Sequence, residues 1–162
     1  MDPITLALTI AGVLGPTAAV SWYIAQYRNV IKARQASLFM QLYDIFCQKD
    51  FQMKYADIVF RHEWKDFDDW MQKYGPFSDL DSFSTYVAVS AYFEGIGVLV
   101  KRKLIDIELV NDILSSQILL FWEKIEDVTI NYRRLLNLSQ LWEWFEYLYN
   151  EIKKKQKYRA SA

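Results

Sequence analysis

Residues Pro3 to Tyr27 read PITLALTIAGVLGPTAAVSWYIAQY and contain no charged side chain. A helix gains about 1.5 Å per residue, so this stretch reaches roughly 38 Å, more than the hydrocarbon core of a bilayer at about 30 Å. A spanning backbone must satisfy its own amides, which a continuous helix does. Trp22, Tyr23 and Tyr27 gather at the C-terminal end, where aromatic rings favour the headgroup boundary. Pro16 is tolerated in such a helix, and Gly12, Gly15, Ala18 and Ala19 leave a thin face for another helix. A cleaved signal peptide fits less well. Thr17-Ala18-Ala19 is small enough to be cut, but Asp2 stands where a basic n-region belongs. A buried core helix needs fewer uncharged residues than these. The expectation is a retained transmembrane anchor over residues 1–27.

The flanks orient it. Asp2 precedes the apolar run, whereas Arg28, Lys32 and Arg34 follow it. The positive-inside rule then puts the N-terminus outside and the C-terminal domain in the cytoplasm, at the cell membrane as a single-pass protein. Cys47 is the only cysteine, so no internal disulfide framework exists. A formal net charge of −1 gives no electrostatic case for nucleic acid.

Beyond the anchor the chain is poor in helix breakers: Gly75, Gly95, Gly97 and Pro76 are all it has. Apolar residues recur at three- and four-residue spacing instead of alternating. The fold class is therefore all-α, a transmembrane helix followed by an antiparallel helical bundle over 28–152 and a basic tail over 153–162. Helices are expected at 29–48, 51–64, 66–74, from Asp81 or Ser82 to Lys103, 106–137 and 141–155. Ser139 is read as the cap of the last one. The long fifth helix carries the clearest stripe, from Ile107 and Val110 through Leu114, Phe121, Ile125 and Val128 to Tyr132 and Leu135.

Tyr92-Phe93-Glu94-Gly95-Ile96-Gly97-Val98-Leu99-Val100, then Leu104-Ile105-Asp106, then Phe121-Trp122-Glu123-Lys124 and Arg133 form a recognisable series. With it the chain resembles an uncharacterised family of small prokaryotic single-pass proteins with a helical domain (domain of unknown function 4760). Lys103-Leu104 departs from the glycine more usual there. The resemblance implies membrane anchoring and a helical fold, and no activity.

No catalytic constellation stands out. Glu94 lies in an apolar helix, where a carboxylate must pair, be solvated or take up a proton. Arg133 or Arg134 is the expected partner, and a Glu94–Arg133 ion pair is read as structural before it is read as a proton-sensing or ligand site. Gly95 and Gly97 suggest close helix approach, by Trp122 for instance. His62 is read as an exposed helix-end residue, and no zinc or calcium recipe is complete around it or around Asp66, Asp68, Asp69, Asp79 and Asp81.

Trp142, Trp144, Tyr147 and Tyr149 surround the last helix and are the expected partner surface. The lysine-rich end beyond Ile152 is a candidate contact for anionic headgroups. Together these point to a non-catalytic membrane-anchored interaction module, accessory to a membrane assembly or self-associating. Its partners would be the lipid bilayer and other membrane subunits or a second copy, and no cofactor is called for. The alternative is a tethered sensor holding a small molecule near Glu94 and Arg133.

Overall fold

The structure, a computed structural model, describes residues 2–160, with the side chains of 5–16 and of 160 outside the description. The described residues are helical, without strands. In order come α1 (Pro3–Cys47), α2 (Lys49–Ala56) with a π-helical turn Asp57–Arg61 at its end, α3 (Phe67–Tyr74), α4 (Leu80–Lys101), α5 (Ile107–Leu136) and α6 (Glu143–Ala160).

The chain divides into two compact units, one up to Leu38 and one from Phe39 on. The first is the N-terminal part of α1. Its described side chains from Thr17 to Arg34 are all exposed, including Trp22, Tyr23 and Tyr27 at 65%, 66% and 60%. Arg28, Lys32 and Arg34 follow on the same continuous helix. Of the expected anchor's small-residue face, Gly12 and Gly15 lie outside the described side chains, and Ala18 and Ala19 are exposed.

The second unit is built around α6, which packs on both α4 and α5. Val89, Phe93 and Ile96 of α4, Leu114, Ile118, Phe121 and Ile125 of α5 and Phe145, Leu148 and Ile152 of α6 are fully buried in its apolar core, where Phe93 meets Phe121 at 5.6 Å. Rings account for much of the packing. Phe93 stacks on Phe145 at 5.0 Å, Trp122 meets the edge of Phe145 at 5.0 Å, and Tyr55 stacks on Phe121 at 5.6 Å. Burying one such ring fully stabilises by about 1.5–3 kcal/mol. The aromatic excess of the sequence is thus largely spent inside.

Helix starts follow local chemistry. Asp66 accepts from the Asp69 amide, Asp79 from those of Asp81 and Ser82, and Asp106 from that of Glu108. The cap of α4 is therefore Asp79, earlier than Asp81 or Ser82. Among the described residues α4 is one helix long and apolar enough to cross a membrane. It is also a core helix, with Tyr86, Val89, Phe93, Ile96 and Val100 buried. A second departure concerns the C-terminus. Of the basic tail expected over 153–162, residues 153–160 continue α6, tied to α5 by Arg159–Asp112 at 2.7 Å and by Lys155 on Glu108.

His62 departs as well: it is 8% exposed, not a surface residue. The π-turn directs its ring onto Tyr74, stacked at 4.1 Å, and its Nε2 lies 3.1 Å from Asp57 Oδ2. Burial, opposed by Asp57, holds its pKa below the usual 6.5. A depressed value means that the folded state resists protonation. This part of the stability is complete above pH 6.5 and is lost as pH falls through the folded value. Thermal melts between pH 7.5 and 5 are expected to show that decline in the wild type and a flatter profile in His62→Phe.

Candidate functional site

The four residues Glu94-Gly95-Ile96-Gly97 occupy one turn of α4, and the start of α6 is built against them. Helix α6 opens with unsatisfied amides like every helix. The residue before Glu143, Trp142, is left-handed at φ 56°, and the Glu143 amide donates back to the Gln140 carbonyl at 3.2 Å. The cap comes from α4. Glu94 Oε2 accepts from the Phe145 amide at 2.7 Å, and the Trp144 amide also donates to the carboxylate. An anion at this position also complements the positive end of the helix dipole.

One turn further, Gly97 lets the backbone of α6 come close. A Cβ built there would sit 2.1 Å from the Trp144 carbonyl oxygen, whereas one on Gly95 meets nothing within 4 Å. The two glycines thus have different meanings. Gly97 is the close approach and its visitor is Trp144, not Trp122. Gly95 faces open space.

The expected Glu94–Arg133 ion pair is not the one formed. Arg133 binds Glu146 at 2.6 Å through Nη1 and the Leu141 carbonyl at 2.8 Å through Nε. Glu146 lies in the first turn of α6, so its carboxylate meets the guanidinium while Glu94 is committed to backbone amides. Arg133 acts on Glu94 only as a minor favourable charge. Burial dominates and raises the Glu94 pKa above the ordinary carboxylate value, against the two amide bonds that lower it. A third polar link lies beside them. Trp142 Nε1 donates to the Tyr86 hydroxyl at 3.2 Å, and that hydroxyl lies 3.3 Å from Thr129 Oγ1, fully buried. This link holds the left-handed Trp142 in place, a conformation that costs about 1–3 kcal/mol for a residue with a side chain.

Of the four aromatic residues expected at a partner surface, Tyr149 is buried. It packs on Trp122 at 5.9 Å and bonds Glu123 at 3.2 Å. It lies on the face of α6 that meets α5. Trp142 is half-buried in the link above. Trp144 and Tyr147 are likewise half-buried, edge to face at 6.2 Å, with the Lys101 ammonium 4.7 Å from the Tyr147 ring centre. Arg133, Arg134, Ile130, Asn137 and Ser139 line a separate open cavity of about 400 Å³ at the end of α5. Among the described residues no cluster of His, Cys, Asp and Glu could hold a metal ion. Sequence reasoning missed Glu146, Tyr86 and Thr129, which are ordinary helical residues until the chain brings them together.

The family model of a domain of unknown function, DUF4760, matches residues 18–152. The chain belongs to the DUF4760 family. That match covers the Glu94–Gly97 turn and everything it touches in α5 and α6. No curated protein and no solved structure matches the chain. The DUF4760 domain here thus presents a site whose polar groups chiefly hold α6 to α4 and α5.

Proposed function

We propose that this DUF4760 protein is a membrane-tethered, non-catalytic helical interaction module, an accessory or regulatory subunit of a membrane assembly or a self-associating protein. One observation carries the reading: in the described side chains of the uncharged part of α1, Val20, Trp22, Tyr23 and Tyr27 are each more than half exposed. A water-soluble chain rarely leaves so much contiguous apolar surface uncovered; lipid or another helix is its natural cover. In this reading residues 3–27 span the bilayer with the N-terminus outside. The rest is a cytoplasmic antiparallel bundle, supported by ties such as Arg133–Glu146 and Lys155–Glu108 that pair opposite ends of α5 and α6. Glu94 and Arg133, read from the sequence as structural and only alternatively as a ligand site, are occupied in positioning α6, which favours the structural role.

Fractionation tests it. The full-length chain should sediment with membranes, resist salt and alkaline extraction, and leave only with detergent. Mass-resolved chromatography in that detergent should then give a species larger than the monomer. A chain that stays in the supernatant sinks the anchor, and a strictly monodisperse monomer without partners sinks the interaction module. The sensor reading draws on the cavity beside Arg133, whose Nη2 is buried without a hydrogen-bond partner among the described residues. A ligand-induced thermal shift lost in Arg133→Lys but kept in Glu146→Gln would favour it.

A further inference from the structure

The turn between α4 and α5 reads Lys101-Arg102-Lys103-Leu104, and all four residues are exposed. Its backbone is fixed. Arg102, Lys103 and Leu104 donate their amides to the carbonyls of Val98, Val100 and Leu99 at 2.8–2.9 Å, and Lys103 is left-handed at φ 57°. Ile105, 2% exposed, pins the turn from below while Leu104 points out, 45% exposed. The last turns of α6 lie at this end too, through Lys155–Glu108 and Arg159–Asp112. Segments 101–112 and 151–159 together hold eight basic and four acidic side chains, in a chain of net charge −1. The acidic residues Asp66, Asp68, Asp69, Asp79 and Asp81 cluster elsewhere, on α3 and before and within the first turn of α4. Basic side chains are therefore in excess at this end, even with Glu123 of α5 lying 3.9 Å from Lys153.

We propose that this basic end, with Leu104 at its tip, seats on anionic lipid headgroups. A fixed turn with three cations around one outward aliphatic side chain matches a surface that is negative outside and apolar just beneath. Ion pairs such as Arg159–Asp112 are exposed and leave the net positive field in place. This surface rests on the membrane reading above, since a tethered bundle stays within reach of the headgroups.

The test uses the full chain with Cys47→Ser and an environment-sensitive fluorophore on Leu104→Cys, in nanodiscs of phosphatidylcholine with or without phosphatidylserine. The label should shift to the blue only with phosphatidylserine and should revert in high salt. A label on Phe77→Cys should not respond. Substituting Lys101, Arg102 and Lys103 by Gln should lower the docked-to-free ratio on the order of a hundredfold. Replacing Lys153, Lys154 and Lys157 instead tests the α6 side of the same surface and should lower it in the same direction. Equal emission in both nanodiscs overturns the proposal while leaving the anchor standing. Failure to enter nanodiscs of either kind overturns the anchor. A shift produced by a soluble polyanion but not by phosphatidylserine assigns the surface to an acidic macromolecule and overturns it too.

Discussion

Gly97→Ala is expected to lower stability by about 3 kcal/mol, the upper range for a methyl forced into a filled space. The reason is specific. The new Cβ would lie 2.1 Å from the Trp144 carbonyl oxygen and 2.5 Å from its carbon. Backbone atoms at the start of a helix cannot swing aside as a side-chain tip can. To admit the methyl, α6 must slide along α4, which would separate Glu94 from the Phe145 amide and loosen the stack of Phe93 on Phe145. Gly95→Ala, two residues away, is the control. Its Cβ meets nothing, so the variant should gain about 0.5–1 kcal/mol from reduced backbone freedom in the unfolded chain and better helix propensity. Urea melts of the two variants should move in opposite directions. Equal midpoints would mean that α6 does not start against this turn.

Glu94→Ala should cost about 2 kcal/mol, because the amides of Phe145 and Trp144 lose their acceptor in a half-buried place. Glu94→Gln should cost less, since its amide oxygen can still accept. The pH dependence separates capping from an ion pair with Arg133. Burial raises the folded pKa of Glu94 above its ordinary value, so the folded state holds the proton more readily than the unfolded chain. That contribution is complete below the ordinary carboxylate range and is lost as pH rises through the folded value. The wild type should therefore lose ground to Glu94→Gln as pH is raised from about 4 to 6.5. A carboxylate stabilised chiefly by Arg133 would give the opposite slope.

The capped starts of α3, α4 and α5 needed only local chemistry, because an aspartate reaches amides two or three residues ahead on the same chain. The start of α6 did not. Its cap stands 51 residues earlier, on α4, and no spacing rule links Glu94 to Phe145. The sequence marked Glu94 as a carboxylate needing a partner and Arg133 as a cation at the right distance along the fold. It held no information that Glu146 would reach Arg133 first. Likewise the π-turn at Asp57–Arg61, which rotates His62 inward onto Tyr74, leaves the local pattern unchanged.

By itself the sequence determined that the chain is helical, where most helices begin, which positions face the core, and that twenty-five residues near the start are uncharged. These follow from periodicity, capping residues and composition, all of which act over a few residues. The tertiary structure alone decided which carboxylate capped which helix, which glycine was a close approach, and that Tyr149 lay inside while the turn at Lys101–Leu104 lay outside. Those outcomes depend on how α4, α5 and α6 cross. Crossing is set by the joint fit of many side chains distant in sequence, so no single stretch carries it.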